Sequence, residues 1–222
     1  MKSLVSQQLL LDLKSIPSMG RNEYFVSNVN KEAVEWLDIW PNWPTFGFIV
    51  CGPRGSGKSH LAAVLKTLSQ GEIVDAKDIS DKNISKLSEK KCLIIEDIEN
   101  YKSEKLLFHI YNMLMEKKHK LMITSKIAMS KINFKLPDLK SRLVSMPQVN
   151  IGFPDDKLLR NVLIKQFLDK GVIVELDVIN YVLKRMDRSF EEIPKLVSKI
   201  DFESLKKSKR ITIPFIKKII QL

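Results

Sequence analysis

The residues most able to do chemistry are grouped in one octapeptide, Gly52-Pro53-Arg54-Gly55-Ser56-Gly57-Lys58-Ser59. Its glycine spacing lets a backbone wrap a polyphosphate with successive N–H groups turned inward, and Lys58 and Ser59 close the pattern in full. In such a loop the lysine reaches the β- and γ-phosphates, and the Ser59 hydroxyl holds Mg²⁺. His60 follows directly and is placed with Gly52, Pro53, Gly55, Ser56, Gly57, Lys58 and Ser59 in the nucleotide-binding set. Hydrolytic chemistry also needs an acid at the end of a neighbouring strand. Cys92-Leu93-Ile94-Ile95 runs apolar into Glu96-Asp97, which assigns Glu96 to the Mg²⁺ shell and Asp97 to the attacking water; a solvated strand end is the other reading. Thr124-Ser125 ends a further apolar run, so that a hydroxyl there either senses the γ-phosphate or caps the next turn. Arg142 and Arg188 are candidates for stabilising phosphoryl charge, from the same chain or from a neighbour, though each taken alone also reads as a surface residue.

These residues need an open sheet to hold them. Short apolar runs at 46–51, 72–76, 91–95, 121–124 and 149–153 read as five strands. Helical spacing falls between them at 30–40, 58–69, 103–118 and 138–143. Alternation of this kind predicts a parallel sheet with helices on both faces. After Pro154 no strand pattern remains, and helices are expected near 155–169, 176–186, 190–206 and 213–221. Asp155 should cap the first. Ser189 with Glu192 resembles a capping box, while Pro194 argues for a kink or a start slightly later. The division expected is an arm at 1–20, an α/β nucleotide-binding part at 21–153 and a small all-helical part at 154–222.

Composition narrows the class. The 222 residues are 44% hydrophobic and 28% charged, which suits a globule with a packed core and excludes a disordered or fibrous chain. No apolar run approaches the roughly 18 residues of a membrane span, and the N-terminus lacks a signal-peptide pattern, so a cytoplasmic location is expected. Cys51 and Cys92 sit in apolar runs as small hydrophobes rather than a disulfide framework. His60, His109 and His119 lack metal-ligand spacing. The net charge of +11 raises nucleic acid as a partner, but only seven of the 37 basic residues are arginine and the lysines look scattered along the chain.

Taken together, the phosphate loop, acid-ending strand, hydroxyl-ending strand, Arg-bearing short helix and helical tail resemble an AAA+ ATPase: a P-loop NTPase core with a parallel five-stranded sheet, then a small all-α lid. More narrowly, Tyr24-Phe25-Val26-Ser27 followed by Asn30, the loop 52–59, Leu139-Lys140-Ser141-Arg142-Leu143 and Arg185-Met186-Asp187-Arg188-Ser189-Phe190 are similar to the DnaA replication-initiator family, and within it to the Hda branch of regulatory homologues. The resemblance implies ATP or ADP with Mg²⁺ as ligand. It implies that Tyr24, Phe25 and Val26 line the adenine pocket, that Arg142 is a finger for a neighbour's nucleotide, and that Arg188 is the lid arginine on bound phosphate. Gln8-Leu9-Leu10-Leu11-Asp12-Leu13 is similar to the peptide with which replication proteins dock on the sliding clamp of DNA polymerase III, anchored here by Gln8, Leu9, Leu11 and Leu13. The family's initiators continue into a helix-turn-helix domain, whereas this chain stops at Leu222, so sequence-specific DNA binding is not expected. DNA would be met through the clamp. The family normally has Asp-Asp or Asp-Glu where Glu96-Asp97 stands, which implies weak hydrolysis by the chain itself. The function implied is negative regulation of replication initiation, by stimulating hydrolysis of DnaA-bound ATP. The alternatives are an adaptor or helicase loader that controls no hydrolysis, and a self-assembling ATPase.

Overall fold

The structure, a computed structural model, describes residues 26–220. Five strands form one parallel sheet: β1 (Gly47–Cys51), β2 (Glu72–Asp75), β3 (Cys92–Glu96), β4 (Lys120–Ser125) and β5 (Gln148–Asn150), in the order β2-β3-β4-β1-β5. Each apolar run expected to be a strand is one. The central strands alternate sides, as a two-residue period requires. Ile49, Leu93, Ile95, Leu121 and Ile123 enter one core layer, packed with α4 (Glu104–Glu116) and α5 (Pro137–Ser145). Phe48, Val50, Cys92, Ile94 and Met122 enter the other, with α1 (Lys31–Asp38) and α2 (Lys58–Ser69). Both faces are therefore covered, and this explains why β1 is buried along its whole length.

Parallel pairing aligns the strand ends that matter. Cys51 lies opposite Ser125, and Ile95 opposite Ile123, so the phosphate loop after β1 and the acids after β3 flank the end of β4. Close approach is built in at Gly47, where a Cβ would fall 1.9 Å from the Leu121 carbonyl oxygen. The short helix α3 (Ile84–Ser88) is absent from the sequence-based expectation; at five residues it shows too little periodicity to read.

The rest of the chain is helical: α6 (Asp156–Asp169), α7 (Leu176–Leu183), α8 (Glu192–Lys207) and α9 (Ile213–Ile220). Asp155 accepts from Leu158 N at 2.7 Å and caps α6. Ser189 Oγ accepts from Glu192 N at 3.3 Å, with α8 beginning just past it as Pro194 demands. These helices close around their own core, including Leu163, Phe167, Ile179, Val197, Ile200 and Ile216. No helix among the described residues is long and apolar enough to cross a membrane.

Candidate functional site

A cleft of about 560 Å³ opens where the strand ends meet the helical part, a size within the usual range for small-molecule sites. Its floor is the loop, residues 54–60, with Asp97 and Lys126 on one side. Leu158, Val162, Lys165 and Gln166 of α6, with Phe190 and Glu191, form the roof.

The loop has the geometry its glycines allow. Gly55 and Gly57 take φ of 72° and 94°, the left-handed region open to glycine. No side chain caps α2, so its first-turn N–H groups are left to meet an anion. Lys58 is 7% exposed, and its Nζ donates to Gly52 O at 2.8 Å and Pro53 O at 2.9 Å. Burial pushes the Lys58 ammonium below its ordinary pKa, while Asp97 and Glu99 pull it back up. Ser56 Oγ is buried without a hydrogen-bond partner at the same floor. A buried cation, an unpartnered hydroxyl and uncapped N–H groups give the cleft donors for a polyphosphate, and the residues present fit such a ligand.

Asp97 reaches the cleft because the chain turns sharply after β3: its φ is 49°, rare for a residue other than glycine. Thr124 holds that turn, its buried Oγ1 accepting from Asp97 N at 3.0 Å. Ser125 Oγ donates to Ile127 O at 2.7 Å and accepts from Ile127 N at 3.2 Å. Both hydroxyls are thus engaged in holding loops, and neither lines the cleft. Glu96 also stays off the lining, beside Asp75 at the strand ends. Sequence reasoning missed Lys126 and Glu99. Lys126 pairs with Asp97 Oδ2 at 3.7 Å and with Glu99 Oε1 at 3.2 Å, which puts a second cation next to the acid. Its signal was its place directly after Thr124-Ser125. Among the described residues no group of three or more His, Cys, Asp or Glu side chains could hold a metal ion. Mg²⁺ bound through phosphate needs only one or two protein oxygens, which Ser59 and Asp97 on the lining supply.

The remaining expected residues are dispersed. Arg188 is 70% exposed and pairs with Asp156 at 3.1 Å, outside the lining; Lys165 is the lid cation on the cleft. Val26 is exposed and away from the lining, while Asn30 and His60 are on it. Tyr24, Phe25 and the peptide Gln8 to Leu13 lie outside the described residues. Burial pushes the Cys51 and Cys92 thiols up to about 11, so neither is a ready thiolate.

Arg142 is half-buried on α5 and absent from the lining. Its guanidinium carbon lies 5.1 Å from the Phe108 ring centre and 5.4 Å from that of Tyr111. The start of α5 is fixed by Glu104, which accepts from Leu136 N at 2.6 Å and Lys135 N at 2.9 Å. Burial pushes that carboxyl up, but these bonds and the one from Tyr101 hold it below its ordinary pKa, and the Tyr101 phenol is pushed up to about 12.

The lid touches the loop at one tight point. A Cβ on Gly55 would fall 2.5 Å from Glu191 N, and beside it Arg54 Nε pairs with Glu191 Oε1 at 3.2 Å. Gly55→Ala is expected to push the lid from the loop and to raise amide exchange at residues 189–195, leaving β1 and β4 protected; unchanged exchange there would show that the contact is dispensable.

Comparison with known proteins agrees with this geometry. Residues 155–220 match the family model described as Hda, lid domain. Domain III of the replication initiation protein DnaA from Thermotoga maritima superposes with a TM-score of 0.77 at 17% identity, covering 93% of this chain and 99% of that one. AMPPCP-bound DnaA from Aquifex aeolicus gives 0.72 at 18% identity, covering 88% and 69%. An uncharacterised protein of Haemophilus influenzae is 25% identical over 191 residues, 79% of this chain and 81% of that protein. The fold is thus an α/β AAA+ core followed by a helical lid. The lid match adds that residues 155–220, the helical part alone, are similar to the Hda lid, on a fold that the DnaA structures share.

Proposed function

We propose that the chain is a nucleotide-bound regulator of replication initiation that offers Arg142 to ATP held by DnaA. The observation that carries this reading is the position of Arg142: it is oriented on two aromatic rings yet lies off its own chain's cleft, so a role at a phosphate requires a nucleotide on another molecule. The lid match and the likeness to DnaA support that partner.

The cleft would take ATP or ADP, as the AMPPCP complex of the Aquifex DnaA supports. Lys58 would exchange its loop carbonyls for phosphate oxygens. Mg²⁺ would rest on Ser59 and, of the Glu96-Asp97 pair, on Asp97, which alone of the two lines the cleft, and would neutralise phosphate charge. Lys126 pairs with Asp97, which leaves that acid poorly placed to orient water; turnover by the chain itself is accordingly slow. Arg188 would serve as lid arginine only after leaving Asp156. Residues 1–20 would form an arm carrying the clamp peptide, residues 21–153 the nucleotide-binding part and residues 154–222 the lid.

The test is hydrolysis of DnaA-bound ATP with this protein, clamp and DNA added one at a time. Acceleration is expected only with all three. Deleting residues 7–13 should abolish both the acceleration and a clamp pull-down; if the pull-down survives, the clamp assignment fails. With no acceleration under any condition, an adaptor or helicase loader replaces the reading.

A further inference from the structure

A strongly basic groove lies in the lid and shares no lining residue with the nucleotide cleft. After Glu203 the described chain carries Lys206, Lys207, Lys209, Arg210, Lys217 and Lys218 and no carboxylate side chain. Four of these, Lys207, Lys209, Arg210 and Lys218, line a groove of about 370 Å³ between the end of α8, the following loop and α9. Lysines in the last turn of a helix ordinarily complement its dipole, and Lys206 and Lys207 have that explanation. Lys209 and Arg210, in the loop, do not. Lys207 pairs with Glu203 at 2.6 Å, while Lys209, Arg210 and Lys218 form no ion pair among the described residues.

The groove is held in shape before any ligand arrives. Ser208 takes φ of 48°, and Ser204 binds the loop twice, its O accepting from Lys209 N at 3.1 Å and its Oγ donating to Lys209 O at 2.6 Å. Like charges gathered on a fixed loop repel each other, a cost that an anionic partner removes. The apolar side of α9, Phe215, Ile216 and Ile219, is already buried in the lid core, so no free apolar face remains for insertion into lipid. Phe215 is the groove's one aromatic residue and is 8% exposed, which gives unpaired bases no platform on which to stack.

We propose that this groove binds the phosphodiester backbone of duplex nucleic acid without reading its sequence. Lys207, Lys209, Arg210 and Lys218 meet phosphates, and the absence of carboxylates from the groove lets a continuous polyanion lie along the surface. The proposal is independent of the nucleotide cleft and of Arg142.

The test is fluorescence anisotropy of the full chain with a labelled 30-base-pair duplex of mixed sequence, titrated at several salt concentrations without nucleotide or clamp. The variant Lys209→Gln/Arg210→Gln/Lys218→Gln is expected to weaken binding about ten-fold and to lower the salt slope by about 2–3, near 0.9 for each phosphate that is no longer neutralised. Lys82→Gln/Lys86→Gln/Lys102→Gln removes the same charge from the core surface and should leave most of the affinity in place. Equal losses in the two variants would overturn the proposal, because net charge would then account for binding. It is overturned as well if the chain does not bind the duplex, or if phosphatidylserine vesicles or polyglutamate of matched charge bind more tightly than the duplex.

Discussion

Arg142→Ala is expected to abolish stimulated hydrolysis of DnaA-bound ATP while nucleotide binding by the chain itself stays intact. A guanidinium placed on the transferring phosphoryl group in trans is worth about 10³–10⁵ in rate, so the variant should fall to the unstimulated background. Arg142 is not among the residues of its own chain's cleft, which predicts an unchanged affinity for ATP or ADP. Folding should survive too: a cation over aromatic faces contributes about 0.5–1 kcal/mol at an accessible site, and the α5 anchors Leu139 and Leu143 remain. Arg142→Lys is the sharper variant. It keeps the charge but loses the planar fork that lies against Phe108 and Tyr111, so most of the stimulation should still disappear. Single-turnover hydrolysis with clamp and DNA present reads both. Stimulation that persists in Arg142→Ala would remove this residue from the mechanism and with it the proposed function.

What can be read in the sequence is what is local. The loop 52–59 is contiguous, and its geometry follows from glycines at fixed offsets, so motif and structure coincide. The cap Asp155 acts over three residues and is equally legible, as is the Ser189 hydroxyl that accepts from Glu192 N just before α8. Side-chain direction is not. Glu96 and Asp97 are adjacent, but the first still belongs to β3, opposite Asp75 and off the cleft lining, and the left-handed turn brings the second to the cleft. That turn depends on Thr124, 27 residues away on another strand. The resemblance implies a phosphate ligand in Arg188; in this structure it is exposed and pairs with Asp156, which comes close only once α6 and the segment before α8 have packed. The basic run 206–218 is contiguous in sequence, but the groove that four of its cations line exists only where α8, a loop and α9 meet.

Lys58→Met separates function from stability most cleanly. In the unliganded protein the ammonium is buried against two carbonyl oxygens and is held below its ordinary pKa, first by burial. Removing it takes away a desolvated charge and replaces it with an apolar chain of similar length, so the apo protein should melt no lower than the parent. Binding should suffer in the opposite sense. Charge-assisted hydrogen bonds are worth about 1.5–3 kcal/mol each, so giving up the bonds to two phosphates should weaken ATP about 10²–10⁴-fold. The parent at a hundred-fold excess of MgATP over its Kd gains about 2.7 kcal/mol, or about 5–10 °C in Tm for a chain of this size. In Lys58→Met that gain should vanish at the same ligand concentration. A thermal scan with and without MgATP distinguishes the outcomes. An undiminished ligand shift in the variant would show that the cleft holds its ligand by some means other than the loop lysine, and a large drop in the apo Tm would make Lys58 a structural cation.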